Sequence, residues 1–284
     1  MRESFSVDLG LPTLLGFRGP DAVRYLNGQL TQDVKKVIGG DTALPSCVTD
    51  AKGKLQFRVY LTESADQTLW VSAPEGCKEA LEARLTKYLI ADEVEVDDLS
   101  GKYRLYHLVG AAISATGNQR AKRTSRFGVE GVDLWVPAEE TIEFPYGLEP
   151  AGDDEVKAYR VAHGAPAWGR EVMEGMLPPE ADLDYSDISY QKGCYIGQEV
   201  ISRIKTAGKV NQSLLMLRLA PDVAAEDGDP LFSNDSPAGV LTSVSPIVDH
   251  GFRDALGLVK RSADRGNLEV KIRDGSLHPV TMRS

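Results

Sequence analysis

From about Asn211 the chain is written in short apolar runs, LLMLRL, GVLTSV, ALGLVKR and LEVKI, separated by turns rich in Gly, Asp, Asn and Pro. Gly and Pro recur too often there for a helix of useful length. The pattern is that of a small antiparallel β-barrel or sandwich. Upstream the periodicity is mixed. Leu55, Phe57, Val59 and Leu61 alternate with polar residues after a turn at Thr49–Lys54, and Thr68–Val71 reads as a partner strand. Tyr103–Val109 and Val132–Val136 read as further strands. Gly19-Pro20-Asp21 opens a short amphipathic helix with proline in its first turn. Pro74–Ile90 carries Cys77, Leu81, Leu85 and Leu89 on one face. Asp153–His163 opens on acids and stops at Gly164, and Gly197–Thr206 stops at Gly208. The fold class is therefore α+β, with a barrel at the C-terminal end.

Composition excludes several functions. A length of 284 residues suits one large or two to three small domains. Lys+Arg 32 against Asp+Glu 42 gives a net charge of −10, the wrong sign for a phosphate-neutralising surface, so no nucleic-acid partner is expected. The N-terminus lacks an apolar core of signal-peptide length and no run reaches the ~20 residues of a membrane helix, so a cytoplasmic protein is expected, or an organelle-matrix one after removal of a presequence. The three cysteines, Cys47, Cys77 and Cys194, are far apart. They argue for a reducing compartment and against a disulfide framework or a self-contained zinc site.

The stretch Lys192-Gly193-Cys194-Tyr195-Ile196-Gly197-Gln198-Glu199 concentrates the chemistry. A helix beginning near Gly197 aims unpaired N–H groups, carrying roughly half a positive charge, back toward Cys194. Lys192 adds a full charge two residues away, and both favour a thiolate. Gly193 is free to adopt positive φ, and Gln198 and Glu199 lie in the first helical turn, within reach of a ligand or backbone donor. Against this stands the ordinary fate of a free cysteine as a small core residue, which is the better reading of Cys47 and Cys77. One thiol cannot hold a cluster alone, and His107, His163, His250 and His278 have no metal-binding spacing. A cluster on Cys194 would be shared with a partner and transient. A covalent thiol enzyme would need a base near the sulfur.

KGCYIGQEVISR is similar to the signature of the YgfZ family, folate-binding proteins that assist iron–sulfur cluster assembly and are relatives of the glycine-cleavage T-protein, an aminomethyltransferase. The resemblance runs through FRGPDAVRYLNGQLTQDV, the turn Asp50-Ala51-Lys52-Gly53, Arg160–Gly164 with Gly169-Arg170-Glu171, LPPEADLD, and the strands at Gly239–Ser243 and Ala255–Val259. It implies a T-protein-like portion of two interleaved α+β subdomains over residues 1–207 and a small antiparallel β-barrel over 208–284. It implies a tetrahydrofolate-type cofactor held by Arg160, Trp168, Glu171, Tyr195, Gln198 and Glu199. Cys194, assisted by Lys192, is then the functional thiol and one ligand of a shared cluster. Iron–sulfur carrier or client proteins are the expected partners.

The chain departs from the T-proteins where they carry acids. Gln56 and Phe57 stand at the place of the acidic pair that acts on the folate-linked amine, and neither supplies a base. In Phe127-Gly128-Val129-Glu130-Gly131, Val129 stands where the pterin-holding glutamate is usual. A non-enzymatic factor is expected, with a folate-dependent aminomethyltransferase or other one-carbon transferase as the alternative. Arg120, Lys122, Arg123 and Arg126 read as a solvated loop, or as an approach for a polyglutamate tail or acidic partner. Trp168 suits a ligand pocket or a core equally. Tyr185 and Tyr190 stay open between the same readings.

Overall fold

The computed structural model describes residues 2–111, 120–144, 148–208 and 210–283. The chain divides into two compact units, one of residues 2–151 and 184–203, the other of 152–183 and 204–284.

The first unit is built on two antiparallel sheets between which the chain alternates. β1 (Phe5–Asp8) belongs to one sheet. β2 (Thr13–Arg18), β3 (Leu44–Thr49), β4 (Leu55–Glu63), β5 (Leu69–Ala73) and β6 (Glu95–Asp98) form the other, in the order β3-β4-β5-β2-β6. The chain then returns to the first sheet with β7 (Tyr103–Val109), β8 (Ala121–Ser125) and β9 (Glu130–Pro137), ordered β1-β7-β9-β8. α1 (Ala22–Gln29) and α2 (Lys78–Thr86) cover the five-stranded sheet. Leu26, Leu81 and Leu85 are fully buried with Leu15, Phe17 and Val59 in a single core, each such side chain contributing about 1.5–3 kcal/mol by leaving water. Leu14 and Trp70 of one sheet meet Leu105 and Trp135 of the other in a second core.

Helix bounds differ from the sequence reading where glycine and exposure intervene. α2 is shorter than Pro74–Ile90. Gly76 turns the chain at φ +82, Cys77 caps the helix, and Ile90 is 90% exposed with nothing to pack on. Pro20 precedes the capping Asp21 rather than opening the first turn of α1. The basic run is not a loop. Arg123 lies in strand β8, and Lys122 of the same strand is buried because its ammonium donates to the Gly40 carbonyl at 2.9 Å.

The second unit contains α3 (Asp153–Ala162) and a closed six-stranded barrel. Its strands are β10 (Gln212–Leu219), β11 (Pro230–Ser233), β12 (Ser236–Asp249), β13 (Phe252–Lys260), β14 (Leu268–Lys271) and β15 (Leu277–Met282), ordered β10-β13-β12-β11-β14-β15. Closure removes the exposed strand edges that an open sheet of this size would leave. Leu217, Leu231, Leu241, Val259 and Val270 fill the interior. Gly239 is a closeness glycine: a Cβ there would stand 2.1 Å from the Leu258 carbonyl oxygen. α4 (Gln198–Ala207) begins in the first unit.

Candidate functional site

The segment ahead of Cys194 is fastened to the first unit by long-range polar contacts. Asp187, fully buried, receives Arg58 at 2.7 and 3.2 Å. Thr31 Oγ1 donates to the Asp187 carbonyl at 2.7 Å, and Ser189 N–H donates to the Thr31 carbonyl at 3.0 Å. The Lys192 side chain is turned into the protein. Its ammonium donates to the carbonyls of Asn27, Leu30 and Gln32 at 2.5, 2.6 and 2.9 Å. These carbonyls lie at and beyond the C-terminal end of α1, where helix geometry leaves acceptors unmet. Burial pushes the Lys192 ammonium down to about 8. The amine expected beside the sulfur is therefore spent on the backbone and acts as an anchor for the loop.

Beyond the cysteine the loop is pinned again. Ile196 N–H donates to the Gly28 carbonyl at 3.1 Å, and Thr49 Oγ1 donates to the Ile196 carbonyl at 2.6 Å. Gly197 has φ +87, and a Cβ on it would lie 2.5 Å from the Asp50 carbonyl oxygen. Only glycine fits that approach. The sequence reading gave the positive φ to Gly193, which has none and faces open space. Between these anchors Cys194 is exposed and free. Tyr195 behind it is buried against Ile188 and Ile201. Its hydroxyl has no hydrogen-bond partner among the described residues, and burial raises its phenol. Gln198 is half-buried and Glu199 exposed in the first turn of α4. Cys47 is fully buried in β3, and Cys77 is half-buried beside the α2 core. No group of three His, Cys, Asp or Glu among the described residues could hold a metal ion.

Gln56, expected at the place of the T-protein acidic pair, is held by an arginine. Gln56 Oε1 accepts from Arg84 Nε at 2.5 Å, while Arg84 also donates to Gln29 Oε1 at 2.9 Å and to the Thr49 carbonyl at 2.7 Å. Glu130, adjacent to Val129, is exposed.

A buried charged chain escaped the sequence reading. Asp133 and His107 are both fully buried, with His107 Nδ1 2.9 Å from Asp133 Oδ1. Arg126 grips the same carboxylate at 2.7 and 2.6 Å and stacks 3.7 Å from the Tyr60 ring centroid. Burial raises the Asp133 carboxyl, but Arg126 and His107 together hold it below the usual carboxylate range. The signal was present: an aspartate inside the apolar strand GVDLWV needs a buried cation.

The remaining predicted residues lie in the second unit. Arg160, expected to meet a folate carboxylate, meets Glu171 instead, at 2.8 Å. Glu171, fully buried, also accepts from Ser243 Oγ at 2.6 Å and the Ala167 N–H at 2.9 Å. The two charges brace the loop Ala165–Val172. Trp168 is half-buried and forms a bridge to Val172.

No family model matches the chain. It is 26% identical over 237 residues to the tRNA-modifying protein YgfZ of Escherichia coli, spanning 75% of this chain and 71% of that one. The chain is YgfZ-like. A mitochondrial iron–sulfur cluster assembly factor homologue of Cryptococcus neoformans is 22% identical over 277 residues, 84% of this chain and 72% of its own. Among solved structures, the glycine cleavage aminomethyltransferase T of Bartonella henselae superposes with a TM-score of 0.79 at 17% identity, over 100% of this chain and 86% of that one. The chain thus has the aminomethyltransferase fold.

Proposed function

We propose that this protein assists assembly or repair of iron–sulfur clusters by presenting Cys194 as a single ligand. The observation that carries the reading is the exposed thiol on a loop anchored on both sides, by Lys192 to the end of α1 and by Ile196 to Gly28 and Thr49. Rigid flanks around an accessible sulfur suit brief ligation without rearrangement. In the step envisaged, the Cys194 thiol loses its proton to solvent and the thiolate replaces one carrier thiolate on an iron of the incoming cluster, the displaced thiolate taking up a proton from solvent. A carrier or client protein supplies the other ligands and the cluster is cargo. The relatives named for iron–sulfur assembly agree with this. The site of action proposed is the cytoplasm; no described helix is long and apolar enough to cross a membrane.

A reduced folate fits the motif unit as a bound molecule but not as a reactant. The Tyr195 hydroxyl, without a partner among the described residues, with Gln198 and Glu199 in the following turn, supplies polar groups for a heterocycle rich in donors and acceptors. Transfer of a one-carbon unit on a folate-linked amine is assisted by a positioned base. Here Gln56 is bound by Arg84, so no transfer step follows. The same feature weighs against the aminomethyltransferase alternative. A titration with tetrahydrofolate followed by tryptophan fluorescence tests the binding: saturable quenching supports it, and its absence removes folate from the account. The cysteine role is tested separately, by restoring iron–sulfur enzyme activity in cells with the wild-type chain and with Cys194→Ala.

A further inference from the structure

A cavity of about 200 Å³ opens in the first unit between the β4–β5 turn and strands β7 to β9, remote in sequence from the cysteine motif. Trp70, Tyr103 and Trp135 form its aromatic wall, the rings in contact at 4.8 and 5.4 Å between centroids. Glu63, Asp66, Arg120 and Lys122 also line it, two acids and two bases.

Three of the lining groups are buried and short of partners. The Trp135 indole N–H has no acceptor among the described residues, although the side chain is 2% exposed. Lys122, 7% exposed, gives its ammonium a single acceptor among them, the Gly40 carbonyl, and makes no direct ion pair with them, Glu63 and Asp41 acting on it only at longer range. Glu63, 9% exposed, accepts from the Gly39 N–H at 2.5 Å and makes no direct ion pair among the described residues. A buried donor left without an acceptor is costly, as is a buried charge without a direct partner. Arg120 lies 5.8 Å over the Tyr103 ring at the same wall.

We propose that this cavity binds a free amino acid with an apolar or aromatic side chain. The carboxylate accepts from the Lys122 ammonium and the Trp135 indole N–H. The ammonium donates to the Glu63 carboxylate, and the side chain lies against Trp70 and Tyr103. A purely anionic ligand would leave Glu63 unmatched, and a purely cationic one would leave Lys122 so. The volume suits one amino acid and excludes a peptide of several residues.

The full chain is titrated by calorimetry with glycine, L-leucine and L-phenylalanine, and by the fluorescence of Trp70 and Trp135. Saturable binding of leucine or phenylalanine is expected, with glycine weaker. Ala65, exposed in the turn at the cavity mouth, tolerates a larger side chain without loss of fold, and Ala65→Trp is expected to weaken binding by at least about tenfold. Lys122→Met, which removes a charge-assisted bond, is expected to weaken it by about tenfold or more. If Lys122→Met fails to fold, Ala65→Trp decides alone. No saturable binding by any of the three overturns the proposal. So does binding undiminished in Ala65→Trp, which would place the ligand elsewhere.

Discussion

The ammonium of Lys192 donates to the carbonyl of Leu30 at 2.6 Å, joining residues 162 positions apart. With the carbonyls of Asn27 and Gln32, it caps the end of α1 using a side chain that also starts the cysteine loop. One residue thus fixes where the loop begins and satisfies acceptors that helix geometry leaves unmet.

Lys192→Met should lower stability by about 2–4 kcal/mol, because buried carbonyls lose their donor without a replacement. Denaturant unfolding measures it. If Lys192 anchors the loop rather than activating the sulfur, the pH midpoint of Cys194 alkylation should be unchanged in this variant. A midpoint displaced upward would restore the activating role.

The same ammonium gives a pH signature. Its folded-state value of about 8 lies below the roughly 10.4 of an unfolded lysine. Between these values the unfolded chain binds more protons, so folding stability contributed at this site rises with pH. The burial penalty is full below pH 8 and fades above it. Tyr190, pushed up to about 12 by burial, works in the opposite direction once unfolded tyrosines ionise near pH 10. The comparison therefore belongs between pH 8 and 10. Wild type should gain stability there relative to Lys192→Met; parallel curves would contradict the assignment.

Gly197→Ala and Gly193→Ala should separate cleanly. At Gly197 a left-handed φ costs a non-glycine residue about 1–3 kcal/mol, and the added Cβ meets the Asp50 carbonyl at 2.5 Å. At Gly193 nothing lies within 4 Å, so alanine should stay within about 0.5 kcal/mol of wild type. Thermal melts of the pair check this.

Much of the fold could be read in the residues. The alternation at Leu55–Leu61 gave β4, and the recurring Gly, Asp and Pro after Asn211 gave the barrel. Local patterning sufficed because each strand buries one face of its own sequence. What failed was long-range. Nothing near Lys192 tells that its acceptors belong to Asn27, Leu30 and Gln32. Arg126 read as a solvated charge because Asp133 comes to it through the pairing of β8 with β9 and Tyr60 belongs to the other sheet. Arg160 fitted a ligand role until Glu171 and Ser243 closed on it.

Replacing Gln56 by glutamate restores an acid near the T-protein position, yet Arg84 Nε already sits 2.5 Å from the residue's side-chain oxygen. The new carboxylate should pair with that guanidinium and remain a poor base. Gln56→Glu should stay without aminomethyl transfer to tetrahydrofolate, and measurable transfer would show that one substitution recovers the enzyme.

Asp133→Asn leaves Arg126 without a counter-charge in a buried setting. Loss of about 3–5 kcal/mol is expected, read as a lower denaturation midpoint. The cost should shrink at low pH, where the wild-type carboxylate itself becomes protonated.

The central claim is that the exposed sulfur of Cys194 does the work and the anchored loop carries it. Its most direct measurement is the activity of iron–sulfur enzymes in cells lacking the chromosomal copy of this protein, supplied with wild type or with Cys194→Ala at equal abundance. The account predicts that wild type restores those activities and Cys194→Ala leaves them near the level of the deletion. Full restoration by Cys194→Ala would contradict it.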